Sequence, residues 1–168
     1  MADIKPPHHP LFLREEELRY SIELMFFVYR DFTGEADAVL AQYGLGRAHH
    51  RVIYFVGRLP GTNVTDLLGI LNITKQALGR VLSQLVEEGY IDQSQGTEDK
   101  RQRLLHLTAK GKQLEENLTL LQKRRFAAAF KEAGSEAVTG WLAVMERVLD
   151  ADTMAFLRAT HLKRKRSL

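Results

Sequence analysis

The chain contains no cysteine. That absence excludes disulfide frameworks, thiolate catalysis and cysteine-based zinc or redox sensing. Proline is scarce: there are four in 168 residues, and three of them fall within Met1–Pro10, which reads as a flexible arm. No segment is apolar over the roughly 20 residues that a membrane span requires. The most apolar stretch, Leu24 to Tyr29, is far shorter. The N-terminus lacks a basic segment followed by an apolar one, so no secretory signal and no membrane partner are expected, and the chain is expected to be cytoplasmic. Charge of one sign is in small excess, with a formal net of +3 and a pI near 9.2. Such an excess implies a polyanionic partner only if the cations share one face. What remains is an ordinary globular composition, 45% hydrophobic and 27% charged, of a length that suits one compact domain with appended helices.

Catalytic signatures are also missing. Gly44-Leu45-Gly46 lacks the third glycine and the preceding strand of a dinucleotide fingerprint. There is no nucleophile elbow, P-loop or HExxH pattern. His8-His9 and His49-His50 suggest a metal. Adjacent helical residues, however, diverge by about 100°, so such a pair is poorly placed to chelate one ion. Neither an enzyme nor a cofactor is expected.

The apolar spacing predicts a mainly helical chain. Leu18, Ile22, Met25/Phe26 and Tyr29 recur at three and four within a helix over Leu11 to Ala41, with a kink or division expected at Thr33-Gly34. A second helix, Ala48 to Arg58, stops at Leu59-Pro60-Gly61. Asn63 caps a short helix, Val64 to Leu71. Thr74 then caps another that runs to about Glu88, with Gly89 at its C-terminal cap. Tyr90 to Ser94 and Gln102 to Leu107 are short strands around the polar loop Gln95 to Arg101. Thr108 caps a long helix carrying Leu114, Leu118 and Leu121. Ser135 caps a last one reaching Ala159, with Val138, Trp141/Leu142, Met145 and Val148/Leu149 in register.

Helix, short helix, tight turn, helix and hairpin, in that order, spell a winged helix-turn-helix, whose second helix enters the major groove of DNA. The face opposite the leucines carries Lys75, Gln76, Gly79, Arg80, Ser83 and Gln84. Gln can pair with adenine and Arg with guanine, while Lys75 and the Thr74 hydroxyl suit phosphates. Glycine within a helix costs on the order of 1 kcal/mol against alanine. Close backbone approach to DNA or to a neighbouring helix would explain Gly79. Asp99-Lys100-Arg101-Gln102-Arg103 places cations at the hairpin, where Arg101 can reach a narrow minor groove and Asp99 can orient it. A winged helix that binds proteins is the competing reading, but it would show apolar residues on this polar, basic face.

The run from Val64-Thr65-Asp66-Leu67 through Gln76-Ala77-Leu78-Gly79-Arg80-Val81-Leu82, Leu85-Val86 and Glu88-Gly89-Tyr90-Ile91 resembles the helix-turn-helix of the MarR family of bacterial regulators. Asp99-Lys100-Arg101 and Leu107-Thr108-Ala109-Lys110-Gly111 follow as in that family's wing. The resemblance implies a winged helix-turn-helix flanked by long dimerisation helices, working as a homodimer on a pseudo-palindromic operator in double-stranded DNA. The expected division is an arm (1–10), an N-terminal dimerisation helix (11–45), the DNA-binding domain (46–107), C-terminal dimerisation helices (108–160) and a basic tail (161–168). The DNA-binding residues it points to are Thr74, Lys75, Gln76, Arg80, Ser83, Asp99, Lys100 and Arg101. It further implies a repressor released by a small aromatic or anionic effector, with Tyr43, Arg47, His49 and His50 as polar candidates for that pocket. Gly79 departs from the family's frequent Ser or Thr, and Gln84 from its common basic residue.

Overall fold

The computed structural model describes residues 13–96 and 101–165, the last five by backbone alone. It divides into two compact units, Met1–Arg47 and Ala48–Leu168.

The first unit is built on α1 (Glu15–Ala41), whose opening turn carries Glu15, Glu16 and Glu17 against the positive end of the helix dipole. The kink expected at Thr33-Gly34 is absent, and the helix runs through without division. Thr33 is buried, and its hydroxyl donates to the carbonyls of Tyr29 and Arg30, so it bonds back onto its own helix. Only Thr33, Ala36 and Leu40 of α1 are buried. The apolar stripe of its first half, including Ile22, Met25, Phe26 and Tyr29, faces solvent.

The second unit holds most of the hydrophobic core. α2 (Arg47–Arg58) ends before Pro60, and Gly61 turns the chain at φ 82° into a two-residue strand, β1 (Thr62–Asn63). Asn63 Oδ1 accepts from the Asp66 amide and starts α3 (Val64–Leu71). Asn72, left-handed at φ 49°, ends α3 and leads to α4 (Lys75–Glu87). Gly89, at φ 75°, closes α4 by donating its amide to the Val86 carbonyl, the termination expected at that position. β2 (Ile91–Gln95) and β3 (Arg103–Leu107) form the antiparallel wing, with Gln93 opposite Leu105. β1 joins the outer edge of β3, so the sheet has three strands in the order β1-β3-β2 rather than the two of a simple hairpin. Val52, Ile53, Val56, Leu67, Leu78, Leu85, Ile91, Leu105 and Leu118 are almost fully buried. Burial at this level contributes about 1.5–3 kcal/mol per large aliphatic side chain.

α5 (Ala109–Val148) is interrupted at Gly134, whose backbone lies at φ 82° and ψ 164°. The Trp141 ring lies 5.5 Å from that of Phe130 and 5.7 Å from that of Phe126. A straight helix would separate residues 130 and 141 by about 16 Å, so the chain folds back at Gly134. A second break falls at Leu149, which is extended, and α6 (Ala151–Lys165) follows. The single helix expected over Ser135 to Ala159 is therefore two. The backbone of 161–165, expected in the tail, is helical.

Candidate nucleic-acid interface

The amphipathic pattern of α4 buries Leu78, Leu82 and Leu85 and leaves Lys75, Gln76, Arg80 and Ser83 exposed. Thr74 is exposed as well. Its Oγ1 accepts from the Ala77 amide at 3.2 Å, which leaves its own proton free to donate. No acidic residue occupies the first turn of α4. The helix thus presents cations, an amide and hydroxyls near its positive end. Gly79 is exposed, and no atom of the described residues lies within 4 Å of a Cβ built there. No neighbouring helix among the described residues therefore explains its presence.

Gln84 departs from the sequence reading. It is half-buried, its Oε1 lies 2.8 Å from His49 Nε2, and its Nε2 donates to Glu88 Oε1 at 2.8 Å. Its side chain engages α2 rather than standing in the exposed row.

In the wing, Asp99 and Lys100 lie outside the described residues, so the expected orienting contact from Asp99 to Arg101 lies outside them too. Arg101 is exposed and joins Gln93, Ser94, Gln95 and Arg103 around a concavity of about 420 Å³. Arg103 Nη1 donates to Gln93 Oε1 at 3.0 Å. Arg103 was visible in sequence only as part of a charge run. Its partnership with Gln93 depends on strand register, which places Gln95 opposite Arg103.

The foot of the wing is fastened to α5. Thr108 caps that helix by accepting from the Gly111 amide, and its hydroxyl donates to the Gly89 carbonyl at 2.7 Å. Lys110 Nζ donates to the Glu88 carbonyl at 2.8 Å and sits 4.0 Å from the centre of the Tyr90 ring. Gly111 is buried against the Tyr90 carbonyl. The segment Leu107-Thr108-Ala109-Lys110-Gly111 thus holds the C-terminal end of α4.

The four effector candidates have different surroundings. Arg47 Nε and Nη2 donate to Asp37 Oδ2, and its guanidinium carbon lies 5.3 Å from the centre of the Tyr29 ring. The hydrogen bonds it donates to Asp37 hold the guanidinium's pKa above its ordinary value, against a smaller opposing effect of desolvation. Asp37 Oδ1 is buried with no hydrogen-bond partner among the described residues. Tyr43 is half exposed, His50 is buried and His49 is committed to Gln84. A cleft of about 700 Å³ lies elsewhere, between the Leu59–Thr62 turn, α3 and α6, and includes none of the four. Among the described residues no group of three or more His, Cys, Asp or Glu is placed to hold a metal ion, and no helix is long and apolar enough to cross a membrane.

Comparison with known proteins places this geometry. A profile of the MarR family matches residues 43–102. The HTH-type transcriptional regulator PetP of Rhodobacter capsulatus is 49% identical over 152 residues, which span 89% of this chain and 92% of that protein. A protein assigned to the MarR family from Listeria monocytogenes, solved with a 26-mer DNA, aligns with a TM-score of 0.66 at 19% identity. The alignment covers 76% of this chain and 85% of the other. MarR of Staphylococcus aureus, solved with salicylate and kanamycin, aligns with a TM-score of 0.66 at 23% identity, over 80% and 91% of the two chains. At these identities the solved structures establish a shared fold.

Proposed function

This chain belongs to the MarR family and is a winged helix-turn-helix transcriptional regulator, not an enzyme; we propose that it acts as a homodimeric repressor on a pseudo-palindromic operator. The observation that carries the DNA reading is the solvent-facing row Lys75, Gln76, Arg80 and Ser83 on α4, with Thr74 at its start. In the major groove, Arg80 and Gln76 meet base edges, and Lys75, Thr74 and Ser83 meet phosphates and flanking bases. Asp99, Lys100 and Arg101 carry the wing to the adjacent minor groove. A role in binding proteins is disfavoured because this row presents no large apolar side chain.

The test is to purify the protein with the genomic DNA it retains and sequence that DNA. The expected result is recurrence of a short pseudo-palindrome that competes far better than random duplex. Retained DNA of random sequence, or none, would contradict the reading.

Dimerisation is supported by the apolar side chains that α1 exposes, Phe26 and Ile22 among them. Repression lifted by a small aromatic or anionic effector is supported by Arg47, a cation at the start of α2 beside the Tyr29 ring, with the half-exposed Tyr43 in the turn that precedes it in sequence. His50 completes the polar candidates, and His49 remains one only if its bond to Gln84 opens. A bound aromatic acid should weaken operator binding by about 1–3 kcal/mol of coupling. A screen of aromatic acids and phenols that shifts neither melting temperature nor operator affinity would remove the effector from the proposal.

A further inference from the structure

Gln84 lies one turn beyond Arg80 on α4, yet it is half-buried and bonded at both ends of its amide. The direction of those bonds follows from chemistry. A carboxylate oxygen only accepts, so the amide nitrogen of Gln84 faces Glu88 and its oxygen faces His49. His49 must then carry its proton on Nε2. The result is a chain of donors, His49 to Gln84 to Glu88, running from the first turn of α2 to the end of α4. Partial burial strengthens such bonds by limiting competition from water. The same end of α4 is held on another side by α5, through Lys110 on the Glu88 carbonyl and Thr108 on the Gly89 carbonyl. The C-terminal end of the recognition helix is therefore fixed by two neighbours, whereas its N-terminal half presents the exposed row.

We propose that His49 is a positioning residue for DNA recognition, holding Gln84 as a strut between α2 and α4 that sets how the row Lys75, Gln76, Arg80 and Ser83 meets the groove. Gln84 itself contacts no base. The proposal rests on the reading of α4 as the DNA-reading helix. It also gives His49 a role within the unit, apart from any effector.

The experiment uses the full-length protein and compares wild type with His49→Leu, His49→Gln, Gln84→Leu and the double variant His49→Leu/Gln84→Leu. Dissociation constants are measured on the operator and on random duplex at one salt concentration, alongside melting temperatures. His49→Leu should weaken operator binding by about five- to tenfold, as expected for one lost partly buried hydrogen bond, and leave random-duplex binding within about twofold. His49→Gln, which keeps a donor near Nε2, should restore operator affinity. The double variant should bind no more weakly than either single one, because both remove the same link. If Gln84→Leu weakens operator binding as much in the His49→Leu background as in wild type, Gln84 reads DNA on its own and the strut is wrong. Equal losses on operator and random duplex, in step with a lowered melting temperature, would reduce His49 to general support of the fold and overturn the proposal. So would wild-type affinity in every variant. If wild type itself shows no preference for the operator, the reading of α4 fails first and the strut fails with it.

Discussion

Gly111 has no room for a side chain. A Cβ built there lies 2.1 Å from the Tyr90 carbonyl oxygen, a backbone atom held by the wing. Gly111→Ala must push the Tyr90 backbone, at the foot of β2, away from α5, and we expect a loss of about 1–3 kcal/mol in urea unfolding. An unchanged midpoint would show that the corner yields at no cost. Arg101 is expected to act through charge rather than packing. Arg101→Ala should weaken binding to many sequences and flatten the salt dependence by roughly one counterion per half-site. A loss confined to the operator, with the salt slope intact, would assign it to base reading instead. The exposed positions Lys75, Gln76, Arg80 and Ser83 were legible in the sequence because helical period alone puts them opposite Leu78, Leu82 and Leu85. Gln84 was not. It adjoins Leu85 at the edge of the buried stripe, where periodicity gives a direction but no partner, and its partner, His49, is thirty-five residues away.

Gly134 decides the shape of the C-terminal helices. Its backbone, at φ 82° and ψ 164°, occupies a region essentially reserved for glycine, where another residue is strained by roughly 1–3 kcal/mol. Gly134→Ala is expected to cost about that much in unfolding experiments. It should also loosen Trp141 from Phe126 and Phe130. Trp141 is the sole tryptophan, so its emission should move to longer wavelength. An unshifted spectrum with unchanged stability would contradict the fold-back at Gly134. This boundary was legible, since Gly134-Ser135 interrupts a helical pattern. The break at Leu149 was not, because Val148 and Leu149 continue the apolar spacing and the backbone leaves the helix all the same. β1 escaped for another reason. Two residues carry no alternation to detect, and Thr62–Asn63 becomes a strand only by pairing with Leu105 and Leu104 of β3. Thr33 shows the opposite error: a residue that favours turns stayed helical by bonding back to Tyr29 and Arg30.

A chain whose first helix exposes Phe26 at 71%, Ile22 at 56% and Phe27 at 52% has more apolar surface there than a stable monomer usually leaves bare. We expect sedimentation at micromolar concentration to give twice the 19.2 kDa of one chain. Phe26→Glu should shift the species toward monomer without unfolding the Ala48–Leu168 unit. A wild-type species of single-chain mass would contradict the dimer. In the proposed dimer, two copies of α4 on two half-sites would make the effect of one side chain count twice on the operator. The decisive measurement is therefore the affinity of Arg80→Ala relative to wild type, on the operator and on random duplex in the same buffer. Arg80 is exposed on α4 and is proposed to read a base, so the operator should lose about 1–3 kcal/mol and random duplex less. Unchanged affinity on both, or the same loss on both, would mean that α4 does not read DNA sequence.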